Sequence, residues 1–286
     1  MIPNVTDIQH TALITGGTSG LGLEAAVGLA KHGMRVLLIG RNEAAGAGAV
    51  ERIRQEAGAD RATFLRVDLS VQAQTHDLAQ RVRDLTNRLD VLIHAAGVVR
   101  ARRRETAEGV EETLAVNFLA PRILTEELLP LLKSSIPARI ISVTTIVEPL
   151  GSLHLRDLQR TEGYHALTAY AGTKRVFALW TRDLARQLKG SGVTVNLFDP
   201  YVMRTPFATA PDAPLLFKLA GPFLLSPQHA GKGLVRVATD PRLQKTTGAR
   251  FLLGLRFPHL PGTSNEHLAQ QLLQVSDPLI IHPSLA

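Results

Sequence analysis

Short apolar and β-branched runs alternate with longer amphipathic stretches along most of this 286-residue chain. The runs fall at residues 11–15, 35–39, 62–67, 91–95, 139–144, 193–198 and 249–253. Stretches 21–31, 44–57 and 71–88 lie between them and carry their apolar residues at helical spacing. Runs that are apolar on both faces cannot form a sheet with one side in water. They predict buried parallel strands joined by helical crossovers. No repeat, low-complexity tract or linker interrupts the rhythm, so one doubly wound α/β domain over residues 1–286 is expected.

Thr15-Gly16-Gly17-Thr18-Ser19-Gly20-Leu21-Gly22 directly follows the first run and opens a helical stretch. Glycines at 16, 20 and 22 let the chain turn tightly, approach a pyrophosphate and pack helix on sheet. The free N–H groups and dipole of the helix N-terminus favour phosphate there, with Thr18, Ser19 and Leu21 completing the turn. A glycine-rich stretch alone marks only a tight turn; the strand–turn–helix context makes it a dinucleotide site. The second run ends at Gly40-Arg41-Asn42. An acidic residue there suits the ribose diol of NAD, whereas arginine accommodates a 2′-phosphate, so Arg41 favours NADP(H). The plainer alternative is a solvated loop arginine. Asp68 and Leu69 either flank the adenine, or Asp68 caps a helix beginning near Ser70.

A net charge of +7 invites a nucleic-acid reading. No zinc finger, helix-turn-helix or aromatic-interleaved basic strip accompanies it, so attraction for an anionic cofactor or substrate is the simpler expectation. Cysteine is absent, which removes disulfides and thiolate metal sites, and no metal site is expected. The first ten residues lack the basic and apolar regions of a secretory signal. No window approaches the roughly 18 to 20 apolar residues of a spanning helix, so a cytoplasmic protein without a membrane span is expected.

The glycine turn, Asp68, Ala115-Val116-Asn117-Phe118 and Tyr170-Ala171-Gly172-Thr173-Lys174 together resemble the short-chain dehydrogenase/reductase family. The resemblance runs from about residue 10 to 277. Its finer match is to the retinol-dehydrogenase-like and protochlorophyllide-reductase-like branch, which has a long connection between its catalytic hydroxyl residue and its tyrosine. Thr145 to Tyr170 would be that connection, with Leu155-Arg156-Asp157-Leu158 inside it. The resemblance implies a seven-stranded parallel sheet ordered 3-2-1-4-5-6-7 and NADP(H)-dependent carbonyl–alcohol interconversion. It further implies Tyr170 as general acid/base, Lys174 as holder of the nicotinamide ribose and Asn117 in a water-linked proton relay. A homodimer or homotetramer built on the helices of Asn117 and Tyr170 is a further family expectation. Residues four apart on a helix share a face, so Tyr170 and Lys174 project together, and the ammonium is expected to lower the phenol pKa.

Thr145 stands where the family usually has serine; its hydroxyl can still donate to a substrate oxygen. Thr144 and Ser142 compete for that role, but strand alternation turns them to the opposite face. The family's Asn-Asn-Ala-Gly reads His94-Ala95-Ala96-Gly97, losing a side-chain amide that braces nearby backbone. His94 is either a neutral core histidine or a proton-active group. Pro-Gly reads Pro200-Tyr201, while Val202 and Thr205 keep the rest of that cofactor-contacting segment. Residues 206–227 hold five prolines around apolar pieces, either two short packed helices or a lid over a lipophilic substrate. Thr145, Tyr201, Phe207 and Phe217 are the pocket candidates. Arg100, Arg102, Arg103 and Arg104 read as solvated surface, the alternative being a dock for an anionic group. A non-redox enzyme on the same fold and a cofactor-sensing binding protein are the rival functions.

Overall fold

The computed structural model describes residues 10–58, 60–201, 225–259 and 265–282. Strands β1 (Thr11–Thr15), β2 (Arg35–Gly40), β3 (Ala62–Arg66), β4 (Val91–His94), β5 (Ala138–Val143), β6 (Val193–Asp199), β7 (Arg250–Leu252) and β8 (Leu255–Phe257) form one sheet. Its order is β3-β2-β1-β4-β5-β6-β7-β8. The first seven strands are parallel, as the alternating pattern predicts.

The eighth strand departs from the seven-stranded expectation. It pairs antiparallel with β7 through a tight turn in which Leu253 and Gly254 both have positive φ, 51° and 88°. The turn's backbone packs directly on a helix: a Cβ on Gly254 would lie 2.9 Å from the Gly233 Cα.

Helices cover both faces. Helices α1 (Gly20–Lys31), α2 (Glu43–Ala57) and α7 (Pro227–Thr239) lie on one side. They enclose Ala12, Ile14, Val36, Leu38, Ile93 and Ile141. On the other side are α3 (Gln72–Leu85), α5 (Ala120–Ser134), α6 (Ala166–Gln187) and α8 (Glu266–Ser276). Their core takes the alternate strand positions Leu13, Leu37, Leu92, Ile140 and Val195. The period of two is therefore apolar in both phases, the signature of a sheet buried on both faces.

A three-residue α-turn, α4 (Glu112–Leu114), leads into α5 through a π-helical turn, Ala115–Leu119. Asn117 sits in that π turn. Such local widening is concentrated at functional sites. After β5 the chain makes two 3₁₀ turns, Glu148–Leu150 and Leu155–Asp157, before α6. This long connection crosses α6 closely: a Cβ on Gly151 would stand 2.2 Å from the Ala171 carbonyl carbon.

Candidate active site

The C-terminal ends of β1, β4, β5 and β6 converge on one edge of the sheet. The glycine turn opens there as expected. Gly16 and Gly20 have φ of 67° and 52°, and a Cβ on Gly22 would lie 2.3 Å from the Gly16 carbonyl oxygen. These are the turn and close-packing roles that glycine alone fills. Ser19 is the N-cap of α1, yet its side chain makes no capping hydrogen bond. Thr18 packs against Gly40, and Leu21 and Gly22 are buried beneath the turn. The helix end thus presents free N–H groups with an uncommitted hydroxyl beside them, which fits a dinucleotide pyrophosphate.

Arg41 and Asp68 meet at the ends of β2 and β3, with an N–O separation of 3.8 Å and both side chains largely exposed. Asp68 also accepts from the Ser70 N–H at 2.9 Å and the Ser70 hydroxyl at 2.7 Å. Its carboxylate therefore braces the turn before α3, which itself starts at Gln72. Leu69 is buried in the core.

Ala95, where the family has asparagine, is held from β1. The Thr15 hydroxyl accepts from the Ala95 and Ala96 N–H groups, both at 3.1 Å, and so braces this backbone itself. His94 is fully buried; its Nε2 lies 2.8 Å from the Thr125 hydroxyl and its ring is edge-on to Phe177. Burial, helped by the Lys174 charge, pushes its pKa down to about 3. It is a neutral core histidine.

Asn117 is fully buried and grips the Val98 backbone from both sides, accepting from its N–H at 2.8 Å and donating to its C=O at 2.9 Å. Its amide also donates to the Thr173 hydroxyl, which donates to the Tyr170 carbonyl at 2.8 Å. Gly97 leaves open the space above this group: a Cβ there would begin 3.5 Å from Asn117 Oδ1 and 3.6 Å from Lys174 Nζ.

Tyr170 and Lys174 share a face of α6 and are buried. The Thr145 hydroxyl, half-buried just past the end of β5, acts on the Tyr170 hydroxyl and favours its ionised form. Thr144 instead turns inward and donates to Glu148, and Ser142 is fully buried, which leaves Thr145 as the hydroxyl at the site. The expected lowering of the phenol pKa is not what the structure produces. Burial raises it strongly, the Asp199 charge adds to the rise, and the Thr145 hydroxyl opposes both. Lys174 Nζ donates to the Val143 carbonyl at 2.8 Å, and burial pulls its pKa down to about 8.

Pro200 is buried and Tyr201 largely exposed. Tyr201 has φ of 62°, a conformation at ease with glycine, which the family places there; its N–H donates to Asp199 at 2.9 Å. Val202, Thr205, Phe207, Phe217 and all but the last three positions of 206–227 lie outside the described residues. The arginine cluster is less solvated than expected. Arg100 pairs with Glu112, while Arg103 pairs with Glu105 at 2.6 Å and donates to the Gln159 carbonyl. Arg102 and Arg104 are exposed.

Behind Thr145 lies a group that no sequence motif marks. Arg250, 1% exposed, pairs with Glu148 and with Asp199, each at 2.7 Å, and also donates to the Thr145 carbonyl at 3.2 Å. Among the described residues no group of His, Asp and Glu is arranged to hold a metal, and no helix is long and apolar enough to cross a membrane.

A family model described as short chain dehydrogenase matches residues 10–214. Retinol dehydrogenase 14 of Mus musculus is 32% identical over 285 residues, covering 94% of this chain and 85% of its own length. Polyprenol dehydrogenase of Homo sapiens is 33% identical over 277 residues, covering 92% and 83%. Among solved structures, an uncharacterised protein of Mycobacterium paratuberculosis superposes with a TM-score of 0.75 at 25% identity, covering 96% of this chain and 94% of that one. A Shigella flexneri protein solved as a short-chain dehydrogenase complexed with NADP gives 0.70 at 25% identity, covering 86% and 97%. The chain therefore belongs to the short-chain dehydrogenase family, in its retinol-dehydrogenase-like branch, and is an oxidoreductase acting on alcohol and carbonyl groups.

Proposed function

We propose that the protein interconverts a lipophilic carbonyl compound and its alcohol with NADP(H), and that Tyr170 is the general acid/base. The observation that carries this reading is the buried Tyr170, one helical turn from the buried Lys174, whose Nζ reaches the Val143 carbonyl at the end of β5. When bound, the nicotinamide cofactor supplies the two-electron reductant or oxidant. Gly16, Thr18, Ser19, Gly20, Leu21 and Gly22 would hold its pyrophosphate, with Ala95, Ala96 and Gly97 along its path and Lys174 at the nicotinamide ribose.

The chain's own part in reduction is proton delivery. A phenol whose pKa is raised by burial is protonated at neutral pH and so holds a proton to give to a carbonyl oxygen; the rise makes it a weaker acid, which the charge developing on that oxygen has to offset. Thr145 aims a second O–H at the same oxygen, stabilising the charge that develops there. Asn117, through Thr173, fixes the α6 backbone that carries Tyr170.

Arg41 supports the phosphorylated cofactor, because its exposed guanidinium suits a 2′-phosphate where an acidic residue would favour a ribose diol. The Shigella flexneri neighbour's complex with NADP accords with it. A lipophilic substrate is supported by Ile146, Leu150 and Tyr201, large exposed side chains in the segments that follow β5 and β6. The names of the relatives, retinol and polyprenol dehydrogenase, point the same way.

Titrating NADPH and NADH by nicotinamide fluorescence on wild type and Arg41→Ala tests the cofactor. Preferential NADPH binding that weakens by about tenfold in the variant is expected, the loss of a charge-assisted contact. Equal binding of both cofactors by wild type and variant contradicts it.

A further inference from the structure

Four ionisable side chains lie buried together behind the site: Lys174 on α6, Asp199 at the end of β6, Glu148 in the 3₁₀ turn after β5, and Arg250 on β7. None is more than 3% exposed. Arg250 bridges the two carboxylates, accepting neither an intervening group nor a surface position. With both carboxylates ionised, one guanidinium leaves one negative charge uncompensated, and a buried charge is tolerated only when it is paired. Lys174 is placed to pair it: its Nζ reaches the Val143 carbonyl, and Val143 stands opposite Phe198, the neighbour of Asp199 in β6.

We infer that Asp199 is a positioning residue for the Tyr170–Lys174 pair: clamped by Arg250, its carboxylate supplies the counter-charge that keeps the buried Lys174 ammonium protonated. This rests on the roles proposed above for Tyr170 and Lys174. The Lys174 ammonium has one direct hydrogen bond to protein, from Nζ to the Val143 carbonyl, and sits over the Phe177 ring at 5.4 Å. Burial drives it toward the neutral amine, and Asp199, then Glu148, draw it back.

The other groups facing Lys174 do not replace that function. His94 on β4 is neutral, and its own proton affinity is lowered by the Lys174 charge. Tyr170, on the same helix, is held as the phenol. Glu148 already accepts from Arg250 and from Thr144, and burial raises its pKa. Arg182 and His259 are half-buried; the Glu148 charge acts on Arg182, and the Arg182 charge on His259, and neither acts on Lys174. Asp199 also acts on Tyr170, raising its phenol pKa, so one carboxylate keeps both members of the pair protonated. Its second oxygen accepts from the Tyr201 N–H and so ties this charge to the backbone at the mouth of the site.

The test is a titration of Lys174 by NMR of protein labelled with ¹³Cε-lysine, its resonance assigned with Lys174→Arg. In Asp199→Asn, which keeps the shape and the acceptor oxygen, the Lys174 proton affinity is expected to fall by about threefold to tenfold. In Glu148→Gln it falls less. The basic limb of the pH–turnover profile moves to lower pH in the same order, which lost stability alone would not produce. The titration needs no turnover, so it decides the counter-charge even if the carbonyl–alcohol reading fails. A Lys174 titration unchanged in Asp199→Asn overturns the inference. Should that variant not fold, an unchanged titration in Asp199→Ser, which keeps a small acceptor for the Tyr201 N–H, overturns it instead.

Discussion

Asn117 holds Val98 by both of its backbone groups, N–H to Oδ1 at 2.8 Å and C=O to Nδ2 at 2.9 Å, across the gap between the π turn and the strand-end of β4. One side chain thereby fixes the segment that carries Gly97 over Lys174. It does so from a π turn whose extra residue re-aims the side chain.

Replacing Asn117 with leucine keeps the volume and removes both bonds. The Val98 N–H and C=O are then left without their partner. A loss of about 2–4 kcal/mol is expected in urea unfolding, from two buried groups left unsatisfied. Stability within about 0.5 kcal/mol of wild type, the range of an inert surface change, would show that the clamp is not structural.

Thr145 is expected to tolerate serine and not alanine. Thr145→Ser keeps the hydroxyl that acts on Tyr170, whereas Thr145→Ala removes it. Loss of a donor to developing oxyanion charge costs about a hundredfold in kcat. Steady-state kinetics should show that loss in the alanine variant, with KM changed less than kcat. Equal kcat in both variants would remove Thr145 from the chemistry.

His94 makes stability depend on acid. Its folded pKa of about 3 lies below the ordinary value of 6.5, so the unfolded chain binds its proton more readily. The contribution is complete above about pH 6.5 and is lost as pH falls toward 3. Within that window it declines by about 1.4 kcal/mol per pH unit. Urea unfolding of His94→Gln across the same range should give a shallower slope than wild type. Parallel slopes would mean that His94 does not stay neutral in the fold.

The sheet was legible because its evidence is local. Ile14 and Leu13, or Leu37 and Leu38, are apolar in both phases, and the glycine turn sits where strand gives way to helix. Strand β8 was not legible, being three residues long and made by a turn at Leu253 and Gly254. Tyr170, Lys174 and Asn117 were singled out by the family resemblance of their segments, and the structure buries all three. Glu148, Asp199 and Arg250 were not singled out, because 51 and 102 positions separate Arg250 from its partners and only the strand order brings them together. Thr15 was missed in its bracing role for a related reason: 80 and 81 positions separate its hydroxyl from the Ala95 and Ala96 N–H groups that it holds.

The most direct measurement is NADPH oxidation in the presence of a lipophilic aldehyde by wild type and Tyr170→Phe, with NADPH affinity measured on both. Tyr170→Phe keeps the buried ring and removes only the hydroxyl. Turnover is expected to drop by about 10²- to 10⁴-fold, the range of a lost general acid, with NADPH affinity unchanged. Wild-type turnover in the phenylalanine variant would contradict the assignment of Tyr170 as the proton donor.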